Sequence, residues 1–278
     1  MNEYKKLPAV LTIAGSDSGG GAGIQADLRT FNAFNVYGCS AITAVTSQNP
    51  DEVRRVDVLS GEAVGCQIET VLDKIPIRFA KSGMLANREI IEVVSEIVAR
   101  RRFELIVDPV MVSTSGTRLL EESAVSAMKE NLFPLAKWIT PNIPEAELIC
   151  GVKIDSGTDL VSAARDLYEQ FGCNVILKSG HLLHADLVSD VVCFNGKLFT
   201  LSSPRINVDA NTAHGTGCTL SAALTAGLAS GKTWDEALMR AKAFVCGSLA
   251  ESVTLSETLR QMYPPEKSRL EQITLTAI

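Results

Sequence analysis

Three short segments place glycine, hydroxyl, thiol, amide and carboxylate groups where an apolar run gives way to a helical one. The first, Gly15 to Leu28 (GSDSGGGAGIQADL), carries five glycines. Glycine lets backbone approach a ligand closely, and free N–H groups at a helix start suit an anion such as a nucleotide phosphate. The segment fits neither G-x-G-x-x-G nor G-x-x-x-x-G-K-[ST]. A plain turn, with Asp17 and Asp27 as cap and surface residues, is the competing reading. The second, His214-Gly215-Thr216-Gly217-Cys218-Thr219-Leu220-Ser221, opens an uncharged stretch. The N–H groups of Thr216, Gly217 and Cys218, aided by the helix dipole, form a candidate hole for a transferring phosphoryl group. Cys218 then stands where a thiol pKa is expected to fall, the alternative being a buried core cysteine. The third is Thr140-Pro141-Asn142-Ile143-Pro144-Glu145-Ala146-Glu147-Leu148. Asn142 and Glu145 read either as a capping pair opening a short helix that ends at Gly151, or as an amide and a carboxylate suited to hydrated magnesium. Asp108 in Ile106-Val107-Asp108-Pro109 is a further candidate for the metal or phosphate environment.

The elements that must position these segments alternate strand and helix. Strands are expected at 9–14, 39–45, 77–81, 105–107, 138–140, 175–178 and 188–194, with helices near 23–34, 61–72, 87–101, 121–131, 158–171, 217–229 and 234–252. Thr233 and Glu236 read as a cap for the last helix. Most strand candidates are unbroken apolar runs, as in parallel sheets covered on both faces. Asn195-Gly196 between 188–194 and 197–201 predicts an antiparallel hairpin. The expected fold is α/β: three α/β/α layers, a mostly parallel central sheet and that hairpin, in one domain over residues 1–278. Ligands in open α/β sheets sit beyond the carboxyl ends of strands, so chemistry is expected in the loops after Ala14, Val45, Lys81, Val107, Thr140 and Lys178, where the first and third segments fall.

Composition narrows the class. The chain has 278 residues, 46% hydrophobic and 21% charged, which excludes disorder. A net charge of −6 gives no general attraction to nucleic acid or anionic membrane, so neither is expected as a partner. Seven scattered cysteines without a C-x-x-C pair fit free thiols in a reducing cytoplasm. The apolar run from Leu7 breaks at Gly15 without a cleavage pattern, so no signal peptide is expected. The uncharged stretch 210–231 holds Asn211, His214 and several Gly, Ser and Thr, too polar to span a bilayer and therefore buried in protein.

Taken together, these motifs resemble the ribokinase-like superfamily and, within it, the hydroxymethylpyrimidine and phosphomethylpyrimidine kinases. The resemblance runs from Leu11 to about Ala250 through LTIAGSDSGGGAGIQADL, Tyr37-Gly38-Cys39 with Ser47-Gln48-Asn49, Lys81-Ser82-Gly83-Met84-Leu85, Val107-Asp108-Pro109-Val110-Met111, Thr140-Pro141-Asn142-x-Pro144-Glu145, Leu177-Lys178-Ser179-Gly180-His181 and His214-Gly215-Thr216-Gly217-Cys218. It implies transfer of the ATP γ-phosphate to 4-amino-5-hydroxymethyl-2-methylpyrimidine, then to its monophosphate, at one site. Gln48 matches the residue that reads the pyrimidine, since an amide donates and accepts at once. Gly15, Ala22, Asp27, Met84 and Val110 match substrate-pocket positions. Lys178 matches the lysine near the ATP phosphates, with Asn142 and Asp108 as further ATP-binding candidates; Asn142 and Glu145 match the magnesium motif, and Gly215, Thr216 and Gly217 the anion hole. Cys218 matches the catalytic base, where most ribokinase-like enzymes carry aspartate. The resemblance also implies Mg2+ and a homodimer.

Two departures stand out: Ala213 is inserted before His214-Gly215, and Ser179 replaces a glycine beside Lys178. His181 and His184 have only a weak H-x-x-H spacing and read as structural. Residues 108–118 read as a candidate lid, and the tail after Tyr263 is left unassigned. Pyridoxal or pyridoxine fits the same chemistry as an alternative substrate. A non-catalytic sensor is a third reading, disfavoured because Asn142, Glu145, Lys178 and Cys218 are all present.

Overall fold

The computed structural model describes residues 6–111, 120–180 and 186–278. Its centre is a sheet of ten strands: β1 Ala9–Asp17, β2 Tyr37–Gln48, β3 Val53–Val58, β4 Phe79–Ser82, β5 Glu104–Val107, β6 Ala136–Ile139, β7 Asn174–Leu177, β8 Leu187–Phe194, β9 Lys197–Pro204 and β12 Thr274–Ala277, in the order β12-β9-β8-β7-β6-β5-β4-β1-β2-β3. β2, β1, β4, β5, β6 and β7 run parallel, and β3 at one edge and β8, β9 and β12 at the other are antiparallel. A separate pair, β10 Val253–Ser256 and β11 Leu259–Gln261, lies outside that sheet.

The mostly parallel reading holds because the central strands are apolar on both faces; β7 is buried at every residue. The expected hairpin turns at Asn195 (φ 49°) and Gly196 (φ 75°), both left-handed as a two-residue turn of this type requires. β3 and β12 were not anticipated. All six β3 residues are exposed and three are charged, so the strand carries no buried face for a pattern to reveal. The tail beyond Tyr263 ends in β12, which pairs with β9.

Eight helices are described: α1 Gly23–Ala33, α2 Gly61–Leu72, α3 Arg88–Arg101, α4 Glu122–Ala127, α5 Ile143–Cys150, α6 Gly157–Phe171, α7 Thr216–Ala229 and α8 Trp234–Ala250. Helices α2 to α6 contribute to the apolar core on one face of the sheet, and α1, α7 and α8 to the cores on the other. α6 shows why: Leu160, Ala163, Ala164, Leu167 and Phe171, at helical spacing, are its buried residues. The expected helix over 121–131 is shorter, because from Met128 to Leu132 the backbone widens into a π turn. α7 is buried at every position from Thr219 to Gly227, which accounts for its lack of charge. Thr233 precedes α8 as expected, yet its side chain makes no capping hydrogen bond. No described helix is long and apolar enough to cross a membrane.

Candidate active site

The site begins where two glycine turns touch. β1 ends at Asp17, whose Oδ1 accepts the Gly19 N–H at 2.8 Å and whose Oδ2 accepts the Ala22 N–H at 2.9 Å. Burial pushes that carboxyl up, but His214 and these amides outweigh it and hold it below the usual carboxylate range. Two glycines are sterically required. At Gly215 (φ 85°) a Cβ would lie 2.0 Å from the Gly21 carbonyl oxygen, and at Gly23 (φ 57°) 2.3 Å from that of Gly15. The turn after β1 therefore lies directly on the turn that opens α7. Met84 closes over Gly15, where a Cβ would sit 2.8 Å from its Cε, and the Thr43 hydroxyl fixes the Met84 carbonyl at 2.6 Å.

Under these turns lies a buried charge pair. Lys81 Nζ, in the middle of apolar β4, donates to both Asp27 oxygens at 3.0 and 2.9 Å, and the Thr12 hydroxyl donates to Asp27 at 2.6 Å. Both side chains of the pair are fully buried. Burial works against both charges: it raises the Asp27 carboxyl, with Lys81 and Thr12 pulling it back, while the Asp27 carboxylate outweighs burial at Lys81 and raises the ammonium, and Nζ on both carboxylate oxygens is the geometry of an ion pair. Asp27 is thus engaged inward with Lys81 and Thr12 rather than presented at the surface of the pocket. Cys218, half-buried at the start of α7, feels the same charges. Burial pushes its thiol up to about 11; Lys81 pulls it down, Asp27 and Asp108 push it further up, and the Gly23 N–H lowers it. The expected depression of this thiol is therefore reversed, because burial and nearby carboxylates exceed the helix start and Lys81 combined.

Beside Cys218 lies a second charged group at the ends of β5, β6 and β7. Lys178 Nζ donates to Asp108 Oδ1 at 3.1 Å, and Thr140 Oγ1 donates to the same oxygen at 3.2 Å. A Cβ on Gly217 would meet Lys178 Nζ at 3.1 Å and Asp108 Oδ2 at 3.4 Å, so glycine keeps the α7 start open to both. Asn142 and Glu145 form the capping box of α5: Asn142 Oδ1 accepts the Glu145 N–H at 2.9 Å and Glu145 Oε2 accepts the Asn142 N–H at 2.8 Å. The helix ends at Gly151, as expected. Burial and the nearby Asp108 charge push the Glu145 carboxyl to about 7, with Lys178 and the Asn142 and Met111 amides pulling the other way. A carboxyl raised in this way favours an added cation, and the hard oxygens of Glu145 and Asp108 fit magnesium. Asn142 Oδ1 is taken by the cap, so Asn142 fixes Glu145 in place. Among the described residues no three His, Cys, Asp or Glu side chains converge as a metal cage. Magnesium here would complete its shell with water and phosphate.

The expected amide hole is altered in one respect. Thr216 N–H donates to the Ala213 carbonyl at 3.3 Å, so the inserted residue occupies one of the three donors. Gly217 and Cys218, in the first turn of α7, keep N–H groups that no carbonyl of the helix can reach. Ser179 turns away from Lys178: its N–H and hydroxyl both point to Asp190 Oδ1, at 2.9 and 3.4 Å, and Asp190 Oδ2 accepts from buried Lys242 at 2.6 Å. Asn211 donates to Asp51 at 3.0 Å.

Gln48 stands at the end of β2 with its amide Nε2 3.4 Å from His214 Nε2. Ala22 lies on the first turn, and Val110 follows Asp108, its N–H on the Asp108 carbonyl at 2.9 Å. His181, His184 and most of the candidate lid lie outside the described residues. Sequence reasoning did not single out Lys81 or the His214 side chain. A lone lysine inside the apolar strand Phe79–Ser82 was the available signal, since a buried ammonium requires a counter-charge.

Comparison with known proteins agrees with this geometry. The phosphomethylpyrimidine kinase family matches residues 17–262. The hydroxymethylpyrimidine/phosphomethylpyrimidine kinase of Haemophilus influenzae is 46% identical over 252 residues, which cover 89% of this chain and 93% of the relative. Among solved structures, phosphomethylpyrimidine kinase from Clostridium difficile is 40% identical with a TM-score of 0.75, covering 87% of this chain and 98% of the other. Pyridoxal kinase from Staphylococcus aureus in complex with ADP is 33% identical with a TM-score of 0.88, covering 99% and 100%. Backbone overlap is greater with the pyridoxal kinase and sequence identity greater with the pyrimidine kinases, and since both share this ribokinase-like fold, sequence decides. The chain belongs to the phosphomethylpyrimidine kinase family.

Proposed function

We propose that this chain transfers the γ-phosphate of ATP to the hydroxymethyl group of 4-amino-5-hydroxymethyl-2-methylpyrimidine and then phosphorylates the monophosphate to the diphosphate, in thiamine biosynthesis. The observation that carries this reading is the convergence of Lys178, Asp108 and the open α7 start, beside Cys218, in a chain 46% identical to a kinase of that name. In this reading Lys178 and the Gly217 and Cys218 N–H groups receive the transferring phosphoryl group. Gly215 contributes by holding that turn against Gly21. When bound, Mg2+ offsets the negative charge of the phosphates, held by Glu145 with Asp108 nearby. On the other side, Gln48, Gly15, Ala22, Met84 and Val110 bound the substrate pocket, while Asp27 acts from beneath through Lys81.

Cys218 is the proton acceptor in this scheme. The alcohol oxygen forms a bond to the γ-phosphorus, the bond to the ADP oxygen breaks, and the alcohol proton passes to the Cys218 sulfur. A thiol near 11 must first give its own proton to solvent, and Lys81 is the cation that favours the resulting thiolate. The transition state of phosphoryl transfer is loose, so the base is required late and most of the rate comes from positioning and charge.

A single sheet drawing strands from Ala9 to Ala277 supports one kinase domain over residues 1–278. A homodimer using the edge strand β3 is supported by Val53, Val56 and Val58, each about half exposed (53%, 47% and 47%). A reducing cytoplasm fits seven free cysteines. A second reading, pyridoxal or pyridoxine as main substrate, draws on the backbone overlap with pyridoxal kinase. A coupled ADP-release assay with ATP and Mg2+ separates the two: the pyrimidine and its monophosphate are expected to turn over well and pyridoxal poorly. The reverse preference would move the chain to vitamin B6 chemistry.

A further inference from the structure

Gln48 faces an unresolved choice. Its backbone is pinned, the N–H donating to Ser18 Oγ at 2.8 Å while the Ser18 hydroxyl donates back to the Gln48 carbonyl at 2.8 Å. The one hydrogen-bond partner of its side-chain amide among the described residues is His214, with Nε2 3.4 Å from the ring Nε2. That same ring nitrogen lies 3.4 Å from Asp17 Oδ2. No single neutral tautomer serves both contacts. A protonated Nε2 donates to the carboxylate and repels an amide N–H; a bare Nε2 accepts from the amide and repels the carboxylate.

The surroundings resolve the choice in favour of Asp17. Its carboxylate is fixed by the Gly19 and Ala22 amides and cannot turn away. An ionised acceptor binds an N–H more strongly than a neutral amide does. The ring also lies close against Gly21, where a Cβ would fall 2.8 Å from His214 Cδ2. With Nε2 protonated and held, the stable partner from Gln48 is its oxygen, reached by turning the amide end over end.

We propose that His214, held by Asp17, is a positioning residue that fixes the orientation of the Gln48 amide and thereby sets substrate preference. The inference rests on the pyrimidine-kinase reading above. With Oε1 shared with His214 and Nε2 free, Gln48 offers an acceptor to a ring amino group and a donor to the adjacent ring nitrogen. An aminopyrimidine supplies that pattern. Pyridoxal carries a formyl oxygen beside its hydroxymethyl-bearing carbon and sets acceptor against acceptor.

The test compares wild type, His214→Leu, His214→Gln and Gln48→Ala, the last also combined with His214→Leu. In His214→Leu the ratio of kcat/KM for the hydroxymethylpyrimidine over pyridoxal is expected to fall about tenfold or more. His214→Gln, which keeps an N–H donor, is expected to recover most of that ratio and guards against misfolding of the leucine variant. A purely structural histidine would lower both substrates together and leave the ratio unchanged, which overturns the inference. Calorimetric binding of 4-amino-2,5-dimethylpyrimidine, which lacks the reacting hydroxyl, reads recognition without turnover. Its affinity is expected to drop about tenfold on His214→Leu in wild type and less than about twofold in the Gln48→Ala background. An undiminished drop in that background, or no binding to wild type, overturns the inference. Failure of the function itself would show separately, as wild type turning over pyridoxal but not the pyrimidine, while the binding cycle still decides the role of His214.

Discussion

Removing the Lys81 ammonium by Lys81→Met isolates what the buried pair contributes. Asp27 would remain fully buried with the Thr12 hydroxyl at 2.6 Å as its other partner. It has two options: stay charged without a counter-ion, or take up a proton. Protonation sets the ceiling. About three pH units separate an ordinary Asp pKa of about 3.9 from neutral pH, each worth about 1.4 kcal/mol, so neutralising Asp27 at pH 7 costs about 4 kcal/mol. That agrees with the ~3–5 kcal/mol for breaking one side of a buried pair. The sign with pH follows. Burial already raises the folded-state pKa of Asp27; without Lys81 it rises further above its unfolded value, so the penalty is absent below about pH 4 and grows as pH rises toward the folded pKa. Guanidinium unfolding should show Lys81→Met destabilised by about 4 kcal/mol at pH 7 and by about 1.5 kcal/mol at pH 5. Adding Asp27→Asn should restore much of the loss at pH 7, since no buried charge then remains. A penalty below about 1 kcal/mol at pH 7, or one that does not change with pH, would refute the claim that this pair is ionised and interdependent.

Other expectations can be checked singly. Gly215→Ala places a Cβ 2.0 Å from the Gly21 oxygen, so both turns must move, with phosphoryl transfer lost and ADP affinity reduced by about tenfold or more in calorimetry. Cys218→Ala should lower kcat by about 100-fold or more. With a thiol near 11, the wild-type rate should climb with pH from 7 to 9 as the thiolate fraction grows, while the alanine variant should not. Asn142→Ala removes the α5 cap at a cost of about 1 kcal/mol and should raise the Mg2+ concentration needed for half-maximal rate by releasing Glu145. Val56→Asp on the exposed edge strand β3 should convert a dimer to monomer in sedimentation velocity without loss of secondary structure.

The legible parts of this fold were those where burial forces a pattern. Unbroken apolar runs gave the parallel strands, and Asn195-Gly196 gave the hairpin, since few other pairs tolerate two left-handed residues together. β3 escaped because an exposed, charged edge strand buries nothing, and β12 because four residues on an edge leave almost no signal. In the site, Gly217, Asp108 and Glu145 were read from their segments and Gly215 and Lys178 from the family resemblance, and the structure brings Gly217, Lys178 and Asp108 together with Glu145 close by. What spacing cannot show is charge at a distance. Cys218 sits at a helix start, which alone lowers a thiol pKa, yet its burial, together with Asp27 from α1 and Asp108 at the end of β5, reverses the outcome. Nor does spacing show that Asp27, a substrate-pocket position by resemblance, meets Lys81, 54 positions later in sequence, through both of its oxygens. The Ala213 insertion likewise mattered only in three dimensions, where its carbonyl takes the Thr216 N–H.

The central claim is that one site phosphorylates the same pyrimidine twice, and the most direct measurement is the amount of ADP formed per pyrimidine consumed, with products followed by phosphorus NMR. The expected result is two ADP per pyrimidine, the monophosphate rising and then giving way to the diphosphate, with both steps lost together in Gly215→Ala. A reaction that stops at the monophosphate, or a second step that survives in Gly215→Ala, would contradict it.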